Sequence, residues 1–219
     1  MHQECHNYGV SPKSIVYVTG NMIAPDTYKK WADNHNIIER MKVIAYAHFE
    51  LDVAMSTYHR NRTEDNKLPS FEDHINYKTE HLNSIKTFAC LNKRIRPQRV
   101  WFYNYLYDAG LIDKGLVSMN EFNALGYVWE GKSMEDEKVI ELNKNLPLLV
   151  YGKRNNELDD NYYINRFNDQ ICLDTYCTVI SEAHCGDYDE TMFISEKTFK
   201  VIGCNQPFMI MGNKNSLSK

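Results

Sequence analysis

The sequence predicts an α/β protein built on parallel sheets, and three observations carry that prediction. Short β-branched and aromatic runs alternate with stretches of helical periodicity along the chain. Strands that alternate with helices return by crossover connections, and so pair in parallel. The chain has 219 residues, 43% of them apolar and 12% aromatic, enough to bury one large core or two small ones.

The elements follow in order. Ser14 to Asn21 (SIVYVTGN) reads as a strand closed by Gly-Asn, and Pro25-Asp26 then opens a helical pattern through Tyr28, Trp31 and Ala32. Lys42 to Phe49 repeats the strand reading, and the polar stretch His59 to Ser70 reads as an exposed loop. Thr87 to Asn92 is a third strand running into KRIRPQR. Val100, Tyr103, Leu106 and Tyr107 then recur at helical spacing, with Pro97 suited to the first turn and Gly110 to the stop. A strand at Gly115 to Met119, an acidic helix over Ser133 to Lys144 and a polar passage around Pro147 come next. That passage, ending near Asp160, predicts a division into two domains, residues 1–155 and 156–219. Beyond it lie a strand over Tyr176 to Glu182, the polar loop AHCGDYDET, the helix SEKTFKVIGC and a strand over Gln206 to Gly212. Asn213 onward supplies capping residues for a further helix, so the reading expects the second domain to be incomplete.

Composition removes several function classes. Lys and Arg number 25 against 29 Asp and Glu, a net charge of -4. The chain as a whole therefore exerts no pull toward nucleic acid or anionic membrane, and any anion site must be local. No apolar run approaches the roughly 18 residues that span a bilayer, and MHQECHNYGV has no signal-peptide pattern, so the expected location is cytoplasmic. The six cysteines are scattered and expected to be reduced. Cys172 and Cys177 make one C-x4-C pair and His2 and His6 one H-x3-H pair, but no second pair accompanies either in the sequence, so a structural zinc site is not expected. No metal and no cofactor is expected.

Two stretches carry chemistry. The first, CLNKRIRPQRVWFYNYL, places Asn92, Lys93, Arg94, Arg96 and Arg99 where a strand's carboxyl end meets a helix N-terminus. In an open α/β sheet that is the ligand crevice, and helix N-termini with nearby guanidinium groups hold phosphates. A solvated basic turn would have the same composition. The second stretch sets Glu182 at a strand end and Glu196-Lys197 at the start of the following helix. A carboxylate there can accept paired hydrogen bonds from a ribose diol while the ammonium meets phosphate. The same Glu and Lys would also suit a plain helix start.

The order strand, Ser-Glu, loop, F-I-S-E-K, helix, P-F-M-I-M-G resembles the donor-nucleotide motif of the α-1,3-fucosyltransferase family. The chain is also similar to short glycosyltransferases encoded by phages and aquatic bacteria, in which an L-N-x-R-x-R-P-x-R stretch precedes S-E-K-T-F-K. The resemblance covers roughly Thr87 to Gly212, while the N-terminal part resembles only the phage-type relatives. It implies a GT-B-like fold, two Rossmann-like domains with parallel sheets, and transfer of a hexosyl or deoxyhexosyl group from a nucleotide-sugar donor. The implied acceptor is a hydroxyl on a glycan, a lipid-linked glycan or a protein, and no nucleic acid or integral membrane segment is involved.

Residue by residue, the resemblance implies that Arg99 contacts the donor pyrophosphate across an interdomain cleft, with Asn92, Arg94 and Arg96 beside it. Glu196 would meet the ribose, Lys197 a phosphate and Phe193 the base or ribose, with Glu182 at the strand end. Ile180-Ser181-Glu182-Ala183 departs from the family's Phe-Glu-Asn, so guanine and fucose specificity do not carry over. The implied transfer is metal-independent, and Asp187-Tyr188-Asp189 is read as a solvated acidic loop in place of a metal-binding D-x-D. Glu50 and Asp52, after the second strand, are the candidate general bases. The other classes considered are a nucleic-acid-binding module using KRIRPQR and a catalytically inactive interaction protein.

Overall fold

The computed structural model describes residues 2–46, 50, 53–54, 68–92, 94–122, 128–129, 131–152, 169–182, 185, 192 and 194–213. Helix α1 (His2–Asn7) precedes strand β1 (Val16–Thr19), helix α2 (Ala24–Asn34) and strand β2 (Lys42–Ala45). β1 and β2 pair in parallel from Val16↔Lys42 to Thr19↔Ala45, and α2 makes the crossover. This is the expected β-α-β start, with both strands shorter than their apolar runs.

Helix α3 (Phe71–Glu80) follows. Its start is a reciprocal cap, in which the Ser70 hydroxyl accepts from Asp73 N–H at 3.1 Å and the Asp73 carboxylate accepts from Ser70 N–H at 2.7 Å. Strand β3 (Lys86–Asn92), helix α4 (Pro97–Asp108) and strand β4 (Gly115–Met119) form the next unit. Pro97 sits in the first turn of α4 as expected. Gly110 ends the helix at φ 64, a left-handed conformation that glycine adopts without strain.

A short antiparallel pair, β5 (Val128–Trp129) with β6 (Lys132–Ser133), leads into helix α5 (Asp136–Asn143). The acidic helix thus begins three residues later than its composition suggested, because Ser133 is committed to the β5–β6 ladder. Helix α6 (Asp169–Leu173), strand β7 (Thr175–Ser181), helix α7 (Glu196–Gly203) and strand β8 (Phe208–Met211) complete the described elements.

The principal sheet has the order β4-β3-β7-β8, and every pairing in it is parallel. This corrects the expected division near residue 155. β3 and β4 precede that point, β7 and β8 follow it, and Phe88↔Cys177 and Ala89↔Thr178 join the two halves in one hydrogen-bonded layer. The physical reason lies in β7, whose Thr178, Val179, Ile180 and Ser181 are buried in succession. A strand covered on both faces belongs in the middle of a parallel sheet, whatever its distance in sequence from its neighbours.

The largest core cluster packs Val100 and Tyr103 of α4 against Met119 of β4, Val139 and Leu142 of α5, and the intervening Phe122 and Met134. A second cluster sets Leu106 of α4 on Phe88 and Cys90 of β3, Val117 of β4 and Val179 of β7. Burial of each such side chain contributes about 1.5–3 kcal/mol. Together they hold the N-terminus of α4 firmly at the carboxyl edge of the sheet. No helix among the described residues is long and apolar enough to cross a membrane.

Candidate functional site

The strand order dictates where a site can form. From β3 the chain passes through α4 to β4 on one side, and from β7 it passes through α7 to β8 on the other. The connections therefore diverge between β3 and β7, and the carboxyl ends of these two strands are where an open α/β sheet of this order places its ligand crevice. Continuing the register Ala89↔Thr178 by three residues brings Asn92 level with Ser181 at that edge. The N-termini of α4 and α7 follow directly, so the two stretches singled out in the sequence meet at one place.

Arg99 is the central group. It is 2% exposed, and its Nη1 and Nη2 donate to the carbonyls of Arg94 at 2.9 Å and Ser181 at 3.0 Å. It thereby ties the first turn of α4 to the end of β7. Among the described residues no carboxylate forms an ion pair with it. Burial lowers its pKa from the ordinary value, the nearby Arg96 charge lowers it further, and Cys90, Glu182 and Glu196 oppose the shift. A guanidinium buried without a counter-ion costs several kcal/mol, and an arriving anion would relieve that cost.

Unsatisfied polar atoms collect around it. Five buried side-chain atoms lack a hydrogen-bond partner among the described residues, and four are Asn92 Oδ1, Arg96 Nε, Arg99 Nε and Ser181 Oγ. Each such atom costs about 1–3 kcal/mol, and native proteins retain them chiefly where a ligand or ordered water completes them. Asn92 is otherwise well held: its N–H donates to Ser118 Oγ at 3.2 Å and its Nδ2 to Cys90 Sγ at 3.3 Å. The Cys90 thiol, fully buried beneath, is pushed up to about 12 by desolvation.

On the α7 side, Ser195 caps the helix, its hydroxyl accepting from Lys197 N–H at 3.4 Å. Lys197 Nζ pairs with Glu196 Oε1 at 2.9 Å and also reaches Ser195 Oγ at 3.3 Å. Both side chains are partly buried. Glu182 has a different place from the one expected of a ribose ligand. It is 0% exposed, and its Oε1 accepts from Ser195 N–H at 3.0 Å and Thr198 Oγ1 at 2.7 Å. Its backbone N–H donates to the Met211 carbonyl at 3.0 Å, and its own carbonyl accepts from Gln98 Nε2 at 3.2 Å. Glu182 is the post on which the start of α7 is hung, and it also receives a side chain from α4.

The structure thus gathers Asn92, Arg96, Arg99, Glu182, Glu196 and Lys197 at one crevice, with Arg94 exposed beside it. In place of the expected interdomain cleft, Arg99 and the start of α7 lie beside strands of one sheet, β3 and β7, and Arg99 is buried. Glu50 is exposed. Asp52, Phe193, Lys93, His184, Asp187 and Asp189 lie outside the described residues. Sequence reasoning missed Ser181, Gln98, Ser195 and Thr198 as parts of the site. Ser195 had a readable signal, a serine directly before Glu-Lys at a helix start, whereas the contacts of Ser181 and Gln98 depend on the β3–β7 pairing. Among the described residues, no group of three or more His, Cys, Asp or Glu is arranged to hold a metal ion. Comparison with protein-family models, curated proteins and solved structures finds no match to the chain.

Proposed function

We propose that the crevice between β3 and β7 binds the diphosphate of a nucleotide sugar and that the protein is a glycosyltransferase. The observation that carries this reading is the buried Arg99 guanidinium, which makes no ion pair among the described residues, set among Asn92 Oδ1, Arg96 Nε and Ser181 Oγ, which have no hydrogen-bond partner there. An anion with several oxygens suits the two guanidinium groups, and the amide and hydroxyl suit sugar or ribose hydroxyls. The start of α4 adds to the attraction, since it has no acidic residue in its first turn and no side-chain cap. The resemblance of the two stretches to glycosyltransferase donor motifs points to the same ligand class.

In the proposed transfer, the bond from the anomeric carbon to the diphosphate oxygen breaks as a bond to the acceptor hydroxyl oxygen forms. Negative charge grows on the departing diphosphate, where Arg96, Lys197 and the α4 N-terminus stabilise it without a divalent ion, the buried Arg99 adding its charge from behind. The acceptor proton passes to a carboxylate, for which Glu50 and Asp52 are the candidates. Arg94 and Arg96 hold the donor, while Arg99 and Glu182 hold the walls in place.

The test is a thermal-shift panel with GDP, UDP, ADP and CMP, followed by transfer assays from the corresponding sugar donors in EDTA. The expected result is a raised Tm with one nucleoside diphosphate and chelator-resistant turnover with its sugar. A panel in which no nucleotide changes Tm would contradict the reading. Activity lost in EDTA and restored by manganese would overturn its metal-independent part.

A further inference from the structure

The crevice wall carrying Glu196 and Lys197 is anchored at a second point, by a residue of the other sheet. Asn21 follows β1, and its Oδ1 accepts from Met192 N–H at 2.8 Å across 171 residues of sequence. Next to it, Met22 N–H donates to the Met192 carbonyl at 2.9 Å. The Met192 backbone is therefore gripped on both its polar groups by the turn after β1. That turn is itself braced, with Thr19 Oγ1 accepting from Asn21 N–H at 3.2 Å and Asn21 Oδ1 accepting from Ile23 N–H at 3.3 Å. Met192 is buried and lies three residues before Ser195, whose N–H is held by Glu182.

We infer that Asn21 is a positioning residue that sets the approach to α7, and so the placement of Glu196 and Lys197 at the crevice. The segment entering α7 is fixed by Asn21 from the β1–β2 unit and by Glu182 from β7. With both posts in place the first turn of α7 has one position; with Glu182 alone it can pivot about Ser195. In the contacts to Met192 and Ile23 it is the Asn21 Oδ1 that accepts. Aspartate keeps that oxygen at the same reach. Serine can still accept from the N–H two residues on but is too short to reach Met192. The consequence for ligand binding rests on the proposed function, whereas the mechanical role does not.

The experiment compares the parent with Asn21→Ala, Asn21→Ser and Asn21→Asp by amide hydrogen exchange without ligand, then by titration with the nucleoside diphosphate that the panel selects. Exchange at Met192 should quicken at least about tenfold in the alanine and serine variants and stay near the parent rate in the aspartate variant, while β3 and β7 amides keep their protection. Nucleotide affinity should weaken about five- to tenfold in the first two and recover in the third. Unchanged exchange at Met192 in Asn21→Ser would overturn the inference, as would quickened exchange with parental nucleotide affinity. If no nucleotide binds the parent, the proposed ligand class fails, and the exchange data still decide whether Asn21 places the approach to α7.

Discussion

Replacement of Glu182 by alanine tests the internal support of the site most sharply. The carboxylate is fully buried and, among the described residues, accepts from Ser195 N–H at 3.0 Å and Thr198 Oγ1 at 2.7 Å. Both donors belong to buried residues, so Glu182→Ala strands them where water has little access. Each stranded donor costs about 1–3 kcal/mol. Loss of a negative charge beside the positive start of α7 adds about 0.3–1 kcal/mol. The expected destabilisation is about 2–7 kcal/mol. Glu182→Gln keeps an acceptor oxygen in the same place and gives up the charge, for an expected loss of about 1 kcal/mol. Urea unfolding of the three proteins, with midpoints compared at a common slope, reads the difference directly. Alanine and glutamine variants of equal stability would refute the reasoning, because acceptor geometry would then contribute nothing beyond charge.

Two further predictions follow from other buried groups. Burial lowers the pKa of His74 below its ordinary value of 6.5, Lys78 acts in the same direction, and the Cys204 carbonyl and Asp73 oppose it. The unfolded chain therefore takes up a proton at a higher pH than the folded one. The stabilisation is complete above about pH 6.5 and is lost as pH falls through the lower folded value. His74→Gln should flatten the fall in stability below pH 6.5, and parallel pH curves for parent and variant would contradict the assignment. Of the six free cysteines, Cys5, Cys90, Cys172 and Cys204 are buried and only Cys177 and Cys185 are partly accessible. A bulky thiol reagent should modify those two alone in the native protein, Cys177 slowly because burial pushes its thiol up, and all six after unfolding. Rapid native labelling of Cys172 or Cys204 would show that the packing around α6 and α7 is looser than described.

Local signals in the chain translated well into elements. β1, β2, β4 and β8 fall within the expected runs, β3 and β7 begin one residue earlier, at Lys86 and Thr175, and Gly110 and Pro97 mark α4 as their backbone chemistry requires. Helix α3 was legible in principle from Ser70-x-x-Asp73, but its mean composition is polar enough to read as a continuation of the preceding loop. What did not show in the sequence was pairing between distant strands. Nothing local to Thr178 or Ala89 says that they are neighbours, so a boundary drawn in the polar passage cut through the sheet. The same limit governs the site. The basic stretch and the Ser-Glu-Lys triplet stood out in the sequence as candidates, but which arginine lies inside and which outside depends on how α4 settles on β3 and β7. Arg99 and Glu182 are buried, Arg94 is exposed and Arg96 half-buried, so under the proposed function the latter two would meet the ligand.

The central claim, that the crevice at the ends of β3 and β7 is a diphosphate site, is tested most directly by isothermal titration of GDP, UDP, ADP and CMP into the parent and Arg96→Ala. Arg96 keeps a buried Nε without a partner at the edge of the crevice, and its removal strips one charge-assisted hydrogen bond to the ligand, about 1.5–3 kcal/mol. The account predicts that a nucleoside diphosphate binds the parent and that its affinity falls at least about tenfold in Arg96→Ala, with the folded state retained. Equal affinity in the two proteins, or no binding of any of the four nucleotides to the parent, would contradict it.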